Sequence, residues 1–256
     1  MKQVKADMHD EYAQLYNDMS SMNGVYATEN TVMYTLAVTI IGFGWQYKSI
    51  FLFLLCFAIL IPFQILLGGH LNTFLRNGAY LMVFHEIDND SLSWEAAHDY
   101  FQGHVSRVLG EFRFQRMGSS ILGMIALVCA IFIAIRQPTQ DGLGLKEAVV
   151  VLVLTAVAEV VTIFVNLYYV SGSSLRKRSN TYKQLFLEAS ILRKVQEELK
   201  NHPEAEKDRM FDRVFNSVCA KCKQYPPLAG LDVLASNEIQ CKWKKILKIE
   251  AAKVLS

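Results

Sequence analysis

The chain has 256 residues, 52% of them hydrophobic, and its 26 Lys and Arg almost balance its 24 Asp and Glu. A net charge of +2 is too small to drive nucleic-acid binding. The five cysteines are divided between apolar stretches and the tail, which argues against a secreted disulfide framework.

The apolar residues are concentrated in four stretches, 31–45, 49–67, 118–135 and 148–170. Roughly 20 apolar residues in a helix cross a hydrocarbon core about 30 Å thick, and a helix satisfies its own backbone polar groups there. The expected fold class is therefore all-α: a polytopic membrane protein with four transmembrane helices, arranged as two short hairpins, and helical cytoplasmic regions.

Residues 1–30 read as a cytoplasmic helix. Met8, Tyr12, Leu15, Met19, Met22 and Tyr26 alternate between fourth and third neighbours, a heptad stripe. The start is polar for too long to be a signal peptide, and neither end has a lipidation motif. The stripe runs in phase into Met33, Leu36, Ile40 and Phe43, so the short first span is expected to extend this helix. Thr31, Thr35 and Thr39 share one of its faces. Hairpin 1, residues 31–67, turns at 46–48. Pro62 is expected to kink the second span and Gly68–Gly69 to end it.

The segment 68–117 reads as a cytoplasmic helical hairpin against the inner membrane surface. Leu71, Phe74, Leu75, Ala79, Met82 and Val83 form its first apolar face. Residues 86–93 form a loop, and a second helix starts at Ser93. Glu95 and His98 match half of a carboxylate-bridged metal site, with His70, His85, Glu86, His104 and Glu111 nearby in sequence. Such a site needs a second Glu-x-x-His, which is absent, so a solvated hairpin is preferred and no cofactor is expected.

Hairpin 2 covers 118–170. Ser119, Gly123, Ala126, Ala130 and Ala134 give its first helix a small-residue face for close packing. In its second helix Thr155, Glu159, Thr162 and Asn166 share one face. A carboxylate at the bilayer centre costs about 2.5–3.5 kcal/mol on insertion scales, so it faces protein or water. Two readings follow. The face lines an ion or proton pathway, or a pore built from several copies; alternatively, a protonated Glu159 ties helices together by hydrogen bonds.

The C-terminal region, 171–256, is the largest soluble part. Leu175, Tyr182, Leu185, Ala189, Leu192 and Leu199 fall in a second heptad register, and residues 201–203 break the helix. Each stripe is either a seam between copies or a packing face within the chain. Cys219 and Cys222, with Cys241 and His202, are candidate zinc ligands. Structural zinc sites have tighter, paired spacing, so reduced thiols on the apolar face of Val214 and Val218 are preferred. Residues 237–255 form a basic amphipathic helix, with Ile239, Trp243, Ile246 and Leu247 on one side. Lys242, Trp243, Lys245 and Lys248 are its candidate contacts with an anionic membrane surface. Docking of the apolar face on the rest of the tail is preferred, because Glu238 and Glu250 dilute the charge.

Orientation follows from Lys and Arg near the spans. Lys2, Lys5, Arg76, Arg107, Arg113, Arg116, Arg176, Lys177, Arg178 and Lys183 outnumber Lys48, Arg136 and Lys146 of the hairpin turns. Both termini and the middle segment are expected in the cytoplasm. Nothing points to an enzyme: phosphate-binding loops, Gly-x-Ser-x-Gly and His-Glu-x-x-His are absent.

The layout of a helical start, a tight hairpin at 31–67 and a long helical extension resembles small bacterial membrane effectors of anti-phage and nucleotide-signalling systems, the SLATT and four-span effectors. The resemblance implies homo-oligomers that permeabilise the bacterial inner membrane when a cytosolic sensor fires. It assigns no residue role, and the second hairpin departs from the simplest two-span members. The leading expectation is an oligomeric membrane effector or channel-like protein. The alternatives are a scaffold recruiting a cytosolic partner through its C-terminal helices and, less favoured, a metal-dependent membrane enzyme.

Overall fold

A computed structural model describes residues 2–87, 111–136, 144–169, 171–201 and 207–254. These are helical apart from short turns, with no strand among them. The helices are α1 Lys2–Tyr47, α2 Ile50–Leu81, α3 Glu111–Arg136, α4 Leu145–Tyr169, α5 Gly172–Asn201, α6 Lys207–Gln224, α7 Pro226–Ala229, α8 Asp232–Ala235 and α9 Asn237–Val254. A π-helical turn, Met82–Glu86, continues α2. Three helical stretches are long and apolar enough to cross a membrane: Ile50–Glu86, Met117–Arg136 and one beginning at Lys146. The expected first span is not among them, since its apolar run is short and interrupted by Thr31, Thr35 and Thr39.

The chain divides into two compact units. The bundle unit holds Asn17–Phe74 and Ser106–Arg176; the tail unit holds Met1–Tyr16, Leu75–Val105 and Lys177–Ser256.

In the bundle unit, successive helices alternate in direction. Along α1 and α2, Gly44 meets Phe53, Ala37 O lies 3.9 Å from Cys56 Sγ, and Glu29 meets His70, so one numbering rises as the other falls. Phe57 meets Gly123 and Gln64 meets Ser119 between α2 and α3. Glycines set the spacing by receiving aromatic rings. A methyl group at Gly44 would lie 2.9 Å from Phe53 Cζ, and one at Gly118 would lie 2.6 Å from Tyr34 Oη. Close approach of this kind strengthens van der Waals contact between the helices.

Gly68 and Gly69 do not end α2, which runs on to Leu81. A methyl group at Gly68 would lie 2.7 Å from Tyr169 Cβ, so this glycine is a packing notch rather than a stop. The helix also continues through Pro62. The α1–α2 turn is as short as expected. Ser49 N–H donates to Gly44 O at 3.0 Å, and Lys48 at φ 53° is the left-handed residue that closes the helix end.

The tail unit has a buried hydrophobic core. Leu187, Ile191 and Val195 of α5 pack with Phe211, Phe215 and Cys222 of α6, Leu228 of α7, and Trp243 and Leu247 of α9. Phe215 and Trp243 rings lie 5.3 Å apart. Two registers read from the sequence are corrected here. On α5 the buried ridge is Leu187–Ile191–Val195, while heptad member Leu185 is 53% exposed. On α1, in the bundle unit, Met33 is followed inward by Ala37, and the expected Leu36 and Phe43 are exposed. A straight helix repeats every 3.6 residues, so a strict heptad drifts off its face by about 20° per repeat. Lys183, counted among the surface charges that set orientation, is buried, and its Nζ donates to Pro227 O at 3.3 Å.

Candidate functional site

All four polar residues singled out on α4 are buried on one side of that helix. Thr155 and Thr162 are fully buried, Glu159 is 2% exposed and Asn166 8%. The threonine hydroxyls donate to Val151 O at 2.7 Å and Ala158 O at 2.8 Å, which satisfies them within their own helix. Asn166 Nδ2 donates to Ser120 Oγ at 2.9 Å on α3. Gln64 of α2 donates to Ser119 Oγ, extending the polar set across a third helix.

Glu159 differs from these neighbours. Neither carboxyl oxygen has a hydrogen-bond partner among the described residues. Its carboxyl lies in the notch left by Gly123: a methyl group there would collide with Oε2 and lie 2.9 Å from Phe57 Cε1. The hydrogen-bonding tie between helices therefore lacks its bond, and Glu159 stands as an uncompensated buried acid. Gln64 Oε1 is likewise buried and unpartnered.

The outer surface of this unit has the opposite character. Val149, Val153, Val157, Val160, Phe164 and Leu167 of α4 are all more than half exposed. On α3, Val128 and Ile135 are 57% and 76% exposed. On α1, Val38 and Trp45 are 55% and 52% exposed. Polar groups lie inside and aliphatic groups outside.

The tail unit holds a second buried polar cluster, one the sequence reading missed. Glu86, expected in a loop, lies instead in the π turn and is 2% exposed. Its Oε1 accepts the Tyr12 hydroxyl at 3.0 Å and its Oε2 the Tyr225 hydroxyl at 2.7 Å. The widened turn, closed by Ile87 N–H to Met82 O at 3.1 Å, lets Met82, Val83, His85 and Glu86 all be buried. His85 lies between the Tyr12 and Tyr80 rings, at 5.9 and 5.7 Å, and its Nε2 is 3.6 Å from Glu11 Oε2. Neither ring nitrogen makes a hydrogen bond among the described residues. The apolar run of α2 ends at Leu67, 18 residues before His85 in the chain. Burial holds the His85 pKa below its ordinary value, against the upward pull of the Glu11 and Glu86 carboxylates.

The remaining candidates are scattered. Glu95, His98, His104 and His202 lie outside the described residues. Cys219 and Cys222 are buried in the tail core and Cys241 is exposed; burial pushes the Cys219 thiol upward. Among the described residues, no three His, Cys, Asp or Glu side chains come together to hold a metal. Trp243, a candidate contact with the membrane surface, is 5% exposed and donates its ring N–H to Glu188 Oε1 at 2.7 Å, the docked arrangement preferred from the sequence. Lys244 and Lys248 reach Asp212 and Asp208 of α6 at 3.0 and 3.2 Å. Lys242 and Lys245 remain on the exposed side, among Ile239, Ile246 and Ile249. Helix α9 therefore has two faces: the Trp243–Leu247 side is docked and the isoleucine side is open.

No protein-family model, curated protein or solved structure matches this chain.

Proposed function

We propose that the chain is an integral membrane protein, a channel-like effector of the bacterial inner membrane, whose bundle conducts or perturbs in response to a trigger received by its cytoplasmic helices. The observation that carries this reading is the buried polar face of α4, centred on an unpartnered Glu159, inside a unit whose outer surface is aliphatic. In water that arrangement exposes what should be buried and buries what should be hydrated. In lipid the aliphatic exterior is favourable, and polar groups are better kept inside the bundle than turned to the hydrocarbon. Acids kept inside a membrane bundle mark ion or proton routes by default.

In this reading α1 is the fourth span. It lies along α2 level by level, from Glu29–His70 to Gly44–Phe53, so the same depth of lipid that covers one covers the other. Thr31 and Thr39 donate to Ala27 O and Thr35 O at 2.9 and 2.7 Å, which leaves their hydroxyls satisfied in an apolar medium. Both termini then share the cytoplasmic side, as the Lys and Arg distribution requires. The polar face turns into the chain's own bundle. The route thus runs through each copy, and association of copies sets the size of the assembly rather than building the lining.

Flux through liposomes containing the purified protein tests this. Wild-type protein should pass protons or small cations, and Glu159→Leu should reduce the rate by roughly tenfold or more, the effect of losing about 1.4 kcal/mol of stabilisation at the narrowest step. Equal rates for wild type and Glu159→Leu would remove Glu159 from the pathway.

A further inference from the structure

We infer that Glu159 binds a proton, and that the species taken up by the α4 polar face is therefore the proton rather than a metal cation; this rests on the reading that α2, α3 and α4 lie in lipid. The first support is coordination. A cation entering a dry site must exchange its water shell for several oxygens. The three atoms nearest a methyl group at Gly123 are Glu159 Oε2, Phe57 Cε1 and Glu159 Cδ, so on this side the carboxyl meets carbon rather than further oxygens. The Thr155 and Thr162 hydroxyls donate their protons to their own helix and have none left to stabilise an ionised Glu159.

The second support is charge. An ionised carboxylate without hydrogen bonds in an apolar interior is costly enough that such a group takes up a proton instead. No Lys, Arg or His side chain hydrogen-bonds or ion-pairs with Glu159 among the described residues. The Cys56 thiol of α2, itself buried, feels the Glu159 carboxyl and brings it no positive charge. Helix α3 has no charged residue between Met117 and Ile135. A single neutral acid, in a unit where Gln64 Oε1 is also buried without a hydrogen bond, is suited to receive and pass on a proton one at a time.

Such an acid has a distinctive reactivity. A hydrophobic carbodiimide dissolved in the lipid adds the carboxyl across one of its C=N bonds. The acid proton goes to nitrogen and the carboxylate oxygen bonds to the central carbon. The acyl group then migrates to nitrogen as a stable N-acylurea, with no leaving group and no change in oxidation state.

The test uses the full chain reconstituted in lipid. Infrared spectra should contain a carboxylic-acid carbonyl band at neutral pH that is absent from Glu159→Gln. Dicyclohexylcarbodiimide should add to Glu159, located by peptide mass, more slowly as pH rises and at a rate unchanged by molar sodium or potassium. Protection by either salt at constant pH would make the site a cation site and overturn the inference. Absence of the band would overturn it without reference to reagent access. A protein that has the band but passes no current keeps the proton site and loses the channel reading; a protein that never enters the bilayer fails at the earlier step.

Discussion

The two units solve the burial problem in opposite ways. The tail unit follows the rule for water: Phe215, Leu187, Ile191 and Leu228 are fully buried, while Lys242, Glu238, Arg193 and Glu197 lie on its surface. The bundle unit reverses it, with Glu159, Thr155 and Gln64 inside and Phe164, Val160 and Ile135 outside. On the proposed reading, one chain holds two helical assemblies suited to different solvents. Their cores differ in what holds them together. The tail core gains from removing aromatic and aliphatic surface from water. The bundle gains from close contact at Gly44, Gly68, Gly118 and Gly123, because its lipid-facing alternative is equally apolar.

That contrast predicts different sensitivities. Phe215→Ala should be the most damaging change in the tail, costing about 3–5 kcal/mol, since it removes a fully buried ring against Trp243. Chemical unfolding followed by Trp243 emission, with Trp45 and Trp94 replaced by Phe, would measure it. A comparable loss is not expected for Phe164→Ala in the bundle, where the ring is 69% exposed.

In the bundle, enlarging a notch should matter more than truncating a ring. Gly123→Val places carbon where Glu159 and Phe57 already lie, an overpacking cost of about 1–3 kcal/mol. It should lower the temperature at which the detergent-solubilised bundle aggregates. A melting profile identical to wild type would mean that α3 and α4 do not approach as closely as described.

The smallest effect expected is a pH dependence confined to the tail. His85 binds its proton less readily in the folded chain than at its ordinary value of 6.5. The unfolded chain therefore holds more protons just below that value. Stability is fully present above about pH 6.5 and declines as pH falls through it toward the folded value. His85→Leu should flatten this part of the profile when the tail's melting midpoint is followed between neutral and mildly acid pH. A wild-type midpoint that rises on acidification would reverse the assignment.

What could be read from the sequence follows the same division. The α4 face was legible because four polar residues at helical spacing contrast sharply with a run of Val, Leu and Ile. The Glu86 cluster was not. Its hydroxyl donors lie 74 and 139 positions away, and the π turn that points His85 and Glu86 inward leaves no local signature. Gly68 was read as a helix stop because backbone freedom is the commoner use of a glycine pair; its actual neighbour, Tyr169, belongs to another helix. The α5 and α1 registers failed because a heptad describes a supercoil and these helices pack on the plain helical repeat. On α9 the docked and surface readings looked exclusive, yet a helix has room for both.

The solvent around Phe164 tests the central claim most directly. A nitroxide attached at Phe164→Cys, with Cys129 and Cys241 replaced by Ala and Ser, reports collision with oxygen and with a water-soluble nickel chelate. In reconstituted protein the account predicts frequent collision with oxygen and almost none with nickel, as for a lipid-facing site. Ready collision with nickel at that position would contradict it.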